Sequence, residues 1–472
     1  ALLNCLVDRE CLPPRRVGSG AVSGQHAEPI RTRRPFGEEV EGPSLRWMIN
    51  RLVYTLVKGL GWVLCRLPPG VAVWLGERLG ILWYWLTPKR RRVGRLNLRA
   101  AFDGHLMPAQ VRRIIRESFQ HVGAGMLELL RLPVMDQAYI TRHVTIEGLS
   151  YLEQAVASKR PVIMLTGHVG NWELGPMIVA LKGYPISVVA REQTRLSRLY
   201  RLLVSYRESK GCKIIHTGGA LQQLMTELDN NRLVGIVGDS TDHHGLWIDF
   251  FGRPALAATG AFELALRKQA VLVPAFIRRS RGPFHRAVVE PPMEPPQDLE
   301  NREGVRQGLQ RFTAILERII REEPAQWMWM HKRWKQTPAR RVLILSDGTR
   351  DHVKQSRAIV EALQQHRTGI SSHIVEIRYR HRVARLWCLF WSWWRPMRWG
   401  GTACLQSVLT PESARALLSR HADLMISCGS SSVPVNHLWA WENRAKTIVI
   451  MNPAPLPEEL AQICEAANAL LL

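Results

Sequence analysis

The stretch PVIMLTGHVGNWELG, residues 161–175, joins a short apolar run to a polar turn that contains two glycines. The run Pro161–Thr166 predicts a buried strand, and Asn171 can cap a helix that follows the turn. A strand, a turn and a helix form the repeating unit of α/β sheets, which bind ligands at the carboxyl ends of their strands. We therefore expect His168 to lie at such an edge.

His168 and Glu173 suggest acid–base chemistry at this turn. From a first helical turn, Glu173 can reach back to His168, fix the tautomer of its ring and stabilise the imidazolium. A histidine held in this way can take a proton from a hydroxyl whose oxygen attacks an activated acyl carbon. The alternative is that His168 only closes the turn, and that Glu173 is a first-turn acid favoured by the helix dipole.

The composition favours an anionic partner. Lys and Arg number 64 against 40 Asp and Glu, a formal charge of +24 over 472 residues. Basic residues alternate with Trp and Leu in residues 79–95 and 379–399, a pattern that favours a membrane surface over nucleic acid. The eight Cys have no spacing that suits zinc and indicate reduced thiols.

The chain divides into four predicted regions. Residues 1–44 lack hydrophobic periodicity and a signal-peptide pattern, and we expect a disordered leader. Residues 45–95 contain two amphipathic stretches without 18 clean apolar residues, so we expect a membrane-associating helical region lying in the plane of the bilayer. The alternative is two core helices of a soluble domain. Residues 96–338 and 339–472 each alternate helix and strand signals, which predicts two α/β domains.

The predicted elements follow the hydrophobic pattern. Predicted helices are Pro108–Leu132, Leu196–Lys210 and Gln355–Gln365. Predicted strands are Pro161–Thr166, Ile186–Ala190, Lys213–His216, Val234–Gly238, Ala270–Ile277, Arg341–Leu345, Asp423–Ser427 and Thr447–Met451.

Several motifs in residues 46–336 resemble, in order, those of the late acyltransferases of lipid A biosynthesis, relatives of the glycerolipid acyltransferases. GHVGNWELG resembles the H-x-x-x-x-[D/E] block of that family. The other matching stretches are LPPGVAVWLGERLGILWYWLTPKRRRVGRLNLRAAF (67–102), YRESKGCKII (206–215), VGDSTDHHGLWIDFFGRPALAATG (237–260) and PAQWMWMHKRWK (324–335). One departure is Ser240, where the family has Gln.

This resemblance implies a glycerolipid-acyltransferase-like sheet flanked by helices, with His168 as general base and Glu173 as its partner. It implies substrate-binding roles for Asn171, Arg191, Arg207, Asp239, Phe251 and Arg253. Arginine suits an acceptor phosphate or a thioester oxyanion because its fork stays charged. The alternatives are a solvated basic face for the arginines and a core position for the phenylalanine.

The implied reaction is acyl transfer from acyl carrier protein, or coenzyme A, to a hydroxyl of a lipid A precursor or related glycolipid. It would take place on the cytoplasmic face of the inner membrane and use no metal or nucleotide cofactor. Two alternatives stay open. One is acylation of a phosphatidylinositol mannoside or a lysophospholipid, and the other is a non-catalytic scaffold on the membrane surface.

Residues 340–472 resemble a second family, the mitochondrial-fission ELM-type proteins, which look like two-domain glycosyltransferases. SDGTRDHVKQSRAIVEAL (346–363) and ISCGSSSVPVNHLWAWENRAKTIVIMNP (426–453) carry the resemblance. It implies a partial Rossmann-like, GT-B-like domain. The ligand-binding residues that it implies are His352, Gln355, Ser356, Gly429 and Ser430. Because Arg350 and Asp351 replace the family's Pro and Gly, a non-catalytic α/β module is the alternative.

Overall fold

A computed structural model describes residues 45–190, 194, 196–217, 219–295, 302–393 and 401–451. The predicted leader and Arg191 lie outside these ranges. The helices are α1 Leu45–Arg66, α2 Pro69–Leu86, α3 Pro88–Ala101, α4 Pro108–Leu130, α5 Gln137–His143, α6 Leu149–Ala157, α7 Gly175–Leu181, α8 Ser197–Glu208, α9 Ala220–Asp229, α10 Gly260–Lys268, α11 Arg302–Glu322, α12 Arg350–His366, α13 Arg382–Trp393, α14 Gly401–Val408, α15 Pro411–Leu418 and α16 Val433–Asn443. The strands are β1 Val144–Glu147, β2 Val162–Thr166, β3 Ile186–Ala190, β4 Cys212–His216, β5 Leu233–Val237, β6 Leu246–Asp249, β7 Pro254–Ala257, β8 Val271–Arg281, β9 Phe284–Val289, β10 Arg340–Ser346, β11 Ile370–Glu376, β12 Leu424–Cys428 and β13 Lys446–Ile450.

The larger sheet has seven strands in the order β1-β9-β8-β2-β5-β3-β4. Its strands pair in parallel except β8 and β9, which form an antiparallel hairpin. β2 lies at the centre and is buried on both faces, which explains its unbroken apolar sequence. The strands predicted from the hydrophobic pattern are confirmed, most of them to within a residue or two at each end.

Helices cover both faces of this sheet. One apolar core includes side chains of α9, α10, α11 and the segment after α11, and a second core includes α1, α6, α7 and α8. α4 contributes to both cores, with Phe119 in the first and Leu127 in the second. The sheet therefore forms the middle of a layered α/β structure, and the two cores have different compositions: the first is rich in aromatic rings and the second is mostly aliphatic.

α2 is neither a simple core helix nor a free surface helix. One face packs so closely on α4 that a Cβ on Gly80 would lie 2.3 Å from the carbonyl oxygen of Phe119, which requires glycine there. The opposite face exposes large apolar side chains, among them Trp74 and Trp85. No helix in the described part of the chain is long and apolar enough to cross a bilayer.

The smaller sheet has four parallel strands in the order β11-β10-β12-β13. The predicted strands at 341–345, 423–427 and 447–451 are confirmed. Polar contacts join this sheet to the preceding part of the chain. The backbone N–H of Gly104 donates to the carbonyl of Ser419, and the N–H of His421 donates to Asp103.

Candidate active site

The register of two neighbouring strands brings the candidate catalytic residues together. β2 and β5 are parallel, and Thr166 lies opposite Val237. His168 and Asp239 each follow two residues after the end of their strand, so the same offset places them opposite each other. Because the carboxyl ends of parallel strands share one edge, two residues 71 positions apart in sequence meet there.

Asp239 holds His168 through two hydrogen bonds. The ring Nδ1 of His168 lies 2.6 Å from Oδ1 of Asp239, and the backbone N–H of His168 donates to Oδ2 at 2.9 Å. Since a carboxylate only accepts, Nδ1 carries a proton, and in the neutral ring Nε2 keeps its lone pair. Among the described residues, Nε2 has no hydrogen-bond partner, and the side chain is 13% exposed. A histidine held in this way can accept a proton at Nε2.

The carboxylate of Asp239 is stabilised in its charged form. Its side chain is completely buried, and burial alone would raise the pKa. Electrostatic interaction with the His168 ring, the hydrogen bonds that His168 donates, and the nearby His331 outweigh burial and hold the pKa of Asp239 well below its usual range. The indole N–H of Trp327 also donates to Oδ2 at 2.9 Å. Asp239 therefore stays ionised opposite His168.

The loop of His168 is fixed by the segment after α11. The N–H of Met328 donates to the carbonyl of His168, and the N–H of Gly170 donates to Gln326 at 2.7 Å. Gly170 has φ +56°, and a Cβ there would lie 2.0 Å from the carbonyl oxygen of Ile277. Only glycine fits at position 170, because the backbone there has a positive φ and approaches the backbone of Ile277 closely.

His331 is a half-buried histidine beside His168 that was not among the predicted site residues. Their ring centroids are 6.0 Å apart, and Nδ1 of His331 donates to the carbonyl of Met328 at 2.6 Å. Burial lowers the pKa of His331 to about 4, with Asp239 opposing the shift. The ring is therefore neutral at pH 7, and its Nε2 is a buried acceptor without a partner in the described chain. The sequence feature that could have pointed to His331 is the motif QWMWMHKRW, in which it lies.

The expectation that Glu173 orients His168 is wrong for this structure. α7 begins at Gly175, so Glu173 lies in a turn before the helix and points to α8. Arg207 donates to Oε2 of Glu173 through Nη2 at 2.8 Å and Nε at 3.2 Å. Burial would raise the pKa of Glu173, but Arg207 lowers it below its usual value. Arg207 is thus engaged in an ion pair, and its role in binding phosphate or oxyanion stays a prediction.

Asn171 neither caps a helix nor faces a pocket. It is buried and donates to Oε2 of Glu128 at 2.7 Å. Glu128 is itself buried and paired with Arg279, and Nε2 of His285 lies 3.5 Å away. The substrate-binding role expected for Asn171 is corrected: the residue ties the His168 turn to a buried charge network beneath it.

The substrate-binding roles expected for Phe251 and Arg253 are also corrected. Phe251 is buried among aromatic rings, with its centroid 5.4 Å from that of Phe102. Arg253 is buried and pairs with Asp423 at 2.9 Å, in the loop that leads into β12. Burial would raise the pKa of Asp423, but His421 and Arg253 depress it strongly. The FFGRP stretch therefore builds the core and the contact between the two sheets.

A cavity of about 360 Å³ lies next to the His168 loop, and Thr166 and Trp172 line it whereas His168 itself does not. Strands of the large sheet and the helices α1, α4, α6, α7 and α8 form its walls, which are almost entirely aliphatic and aromatic. Trp172 lines the cavity and its ring lies 4.9 Å from that of His168. The pair of Glu173 and Arg207 provides most of the charge in the lining. Such a space suits a hydrophobic ligand.

The residues predicted for a second ligand site meet at the ends of β10 and β12. Nδ1 of His352 lies 3.1 Å from Asp347, and a Cβ on Gly429 would lie 2.7 Å from the ring of His352. Gln355 accepts from the thiol of Cys428. Ligand binding here stays a prediction.

Two serines predicted for that site have protein partners. Ser430 accepts from Arg385 at 3.1 Å. Ser356 is buried and its hydroxyl donates to the carbonyl of His352, so this residue supports α12 rather than facing a ligand. In the described ranges, no group of three or more His, Cys, Asp or Glu is arranged to hold a metal.

At the carboxyl edge of the α/β sheet, a buried carboxylate orients a histidine, and an apolar cavity lies next to the histidine's loop. This combination is typical of a class of proteins that carry out acid–base chemistry on a hydrophobic substrate. The bacterial lipid A biosynthesis acyltransferase family model matches residues 43–336. The chain belongs to this family, and its homologues indicate that it is an acyltransferase. The matched range ends before the smaller sheet begins.

Individual relatives agree with this assignment. The chain is 24% identical over 300 residues to the lipid A biosynthesis palmitoleoyltransferase of Escherichia coli (strain K12), covering 59% of this chain and 90% of the relative. It is 25% identical over 299 residues to the lauroyltransferase of the same organism, with the same coverage. It is 29% identical over 164 residues to a phosphatidylinositol mannoside acyltransferase of Mycobacterium tuberculosis (strain CDC 1551 / Oshkosh), covering 33% of this chain and only 52% of that relative.

Proposed function

We propose that this protein transfers a fatty acyl chain from a thioester to a hydroxyl of a lipid A precursor or a related glycolipid, with His168 as general base. The observation that supports this most strongly is the bond from Nδ1 of His168 to Asp239 at 2.6 Å, which leaves Nε2 as an acceptor beside an apolar cavity. Asp239 replaces Glu173 as the orienting carboxylate in this proposal.

The reaction proceeds in two proton transfers. As the acceptor oxygen attacks the thioester carbonyl carbon, its proton passes to Nε2 of His168, and Asp239 stabilises the resulting imidazolium. The tetrahedral intermediate then collapses, the carbon–sulfur bond breaks, and the leaving sulfur takes the proton from Nε2. The products are an ester and a free thiol, and His168 returns to its starting state.

The cavity is the proposed site of the acyl chain. Most of its walls are apolar side chains such as Leu129, Met164 and Ile214, which suit a hydrocarbon chain. Each methylene transferred from water into such a space gains about 0.8 kcal/mol. Because Trp172 contacts His168 and lines the cavity, a chain held there would present its carbonyl near Nε2. Exclusion of water from the cavity would also limit hydrolysis.

The proposed acyl donor is acyl carrier protein or coenzyme A. α8 carries Arg198 and Arg201, which give this side of the cavity a positive charge. An acidic carrier protein or the phosphates of coenzyme A complement that charge. Purified acyl-carrier-protein and acyl-coenzyme A substrates of equal chain length, compared by kcat/KM, distinguish the two donors.

The proposed location is the cytoplasmic face of the inner membrane. The exposed apolar side chains of α1 and α2 support contact with lipid, as do those of α13, where Leu386 and Trp387 are more than half exposed. Basic residues flank these helices, as expected for contact with anionic headgroups. In a vesicle sedimentation assay, the double variant Trp74→Ala/Trp85→Ala should bind anionic vesicles more weakly than Trp247→Ala, which removes an exposed tryptophan from β6. Equal binding would contradict this orientation.

The function is tested by acyl transfer in membranes from a strain that lacks its own late acyltransferases. The wild-type chain should add an acyl group to the lipid A precursor, measured by mass spectrometry, and His168→Ala should abolish the addition. Phosphatidylinositol mannoside, the acceptor named for one relative, is the second acceptor to assay. If His168→Ala is folded and still active on either acceptor, the mechanism is wrong. If the wild-type chain acylates neither, the scaffold alternative is favoured.

A further inference from the structure

A row of arginines lies in the seam between α3 and α16. Arg92, Arg95 and Arg99 are spaced three and four residues apart, so they share one face of α3. The guanidinium carbon of Arg99 lies 4.7 Å from the ring centroid of Trp439 on α16, and that of Arg92 lies 5.0 Å from Trp441. Arg99 is only 3% exposed.

Several donors in this row have no acceptor. Nε and Nη1 of Arg99 and Nε of Arg95 are buried without a hydrogen-bond partner in the described chain. Nη2 of Arg95 donates to the hydroxyl of Tyr84 at 3.1 Å, and no carboxylate among the described residues pairs with either guanidinium. A buried guanidinium stays charged, so in a folded protein it normally has an anionic partner, either a carboxylate or a bound anion.

The surrounding charge is also positive. Arg112 on α4 and Arg444 just after α16 add positive charge near Arg99 and Arg92 respectively, and the negative charge of Glu442 opposes it. Burial lowers the pKa of Arg99 to about 10, with Arg95 and Arg112 adding to this shift. Bringing these like charges together costs free energy that an anion would recover.

We infer that the seam between α3 and α16 binds a phosphate group. A phosphate has several acceptor oxygens for the unpartnered donors of Arg95 and Arg99, and its negative charge offsets part of the positive charge of the cluster. The site is separate from the proposed active site, because Asn97, on the opposite face of α3, is the residue that donates to the carbonyls of Trp329 and His331. The phosphate group comes either from a phospholipid headgroup or from a soluble phosphate compound.

The first test measures thermal unfolding of the full chain in inorganic phosphate, with chloride at matched ionic strength as reference. Phosphate should raise the Tm, because a ligand that binds only the folded state stabilises it. Arg99→Met should raise the apparent Kd for phosphate at least tenfold. Arg112→Ala, at an exposed position, tests the same site without a buried change and should raise the Kd severalfold. Arg113→Ala is the matched control, because Arg113 follows on the same helix but pairs with Glu117.

The second test identifies the source of the phosphate. Phosphatidylcholine vesicles with and without phosphatidic acid are compared for binding of the wild-type chain, Arg112→Ala and Arg113→Ala. Binding that depends on phosphatidic acid and is lost only in Arg112→Ala assigns a lipid headgroup. A Tm increase in phosphate without such vesicle dependence assigns a soluble phosphate. If neither phosphate nor phosphatidic acid distinguishes the wild-type chain from Arg112→Ala, the inference is overturned, whatever the outcome for acyl transfer.

Discussion

Replacement of Asp239 by Asn tests the proposed base directly. Oδ2 of Asp239 accepts from the backbone N–H of His168 and from Trp327, so an asparagine at this position should keep its oxygen on that side. Its amide nitrogen would then face Nδ1 of His168, 2.6 Å away in the native pair. Two donors cannot share this contact, so the ring proton should move to Nε2, which can then no longer accept a proton.

The expected loss follows from this tautomer change. A carboxylate-to-amide change behind a catalytic histidine lowers kcat by about 10⁴, and at about 1.4 kcal/mol per tenfold this is between 5 and 6 kcal/mol of barrier. The fold should lose only about 1 kcal/mol, because volume and two hydrogen bonds are kept. The double variant His168→Ala/Asp239→Asn should be no slower than His168→Ala alone, since the two residues act as one unit.

The assay is the initial rate of acyl transfer at saturating thioester, with circular dichroism to confirm folding. Glu173→Gln is the control, because it removes a carboxylate of the same turn that contacts Arg207 rather than His168. We expect its kcat to fall by less than about tenfold, although its Tm should drop because Arg207 loses a buried partner. The reasoning fails if folded Asp239→Asn keeps kcat within about threefold of the wild type, or if Glu173→Gln matches His168→Ala.

Three further outcomes follow from the geometry. Gly170→Ala places a Cβ 2.0 Å from the carbonyl of Ile277 at positive φ, and should lower the free energy of unfolding by at least about 2 kcal/mol in denaturant titration. A double-mutant cycle with Arg253→Met and Asp423→Asn should give a coupling free energy of about 1–3 kcal/mol, whereas additive effects would show that the pair does not join the two sheets. Burial lowers the pKa of His331 to about 4, so between pH 6.5 and 4 the unfolded chain takes up a proton that the folded chain does not. Stability should therefore fall as pH falls through this window, by at most about 3 kcal/mol from this residue, and less steeply in His331→Gln.

Much of the architecture could be predicted from the sequence because its causes are local. An unbroken apolar run such as Val162–Leu165 can only be a central strand or a buried helix, and its shortness and its β-branched residues favour the strand. The position of His168 just after that strand then follows from chain connectivity. The family motifs added the class of reaction, because they span most of the first 336 residues in order.

The partners of the site residues could not be predicted in this way, because they depend on contacts between distant parts of the chain. Glu173 is near His168 in sequence, but α7 begins later than expected and turns its carboxylate toward Arg207. The motif implied a substrate-binding role for Arg253, but Arg253 forms an ion pair with Asp423, 170 residues away in sequence.

The sequence by itself determined that a histidine would stand at the carboxyl edge of an α/β sheet in an acyltransferase. Only the tertiary structure decided which carboxylate would hold it. That choice depends on the register of β2 against β5, which sets His168 opposite Asp239 although they lie 71 positions apart in sequence. The cavity next to the His168 loop likewise depends on helices from several parts of the sequence, which form its largely aliphatic walls. Register and enclosure are properties of strands and helices packed together, so no local pattern of residues specifies them.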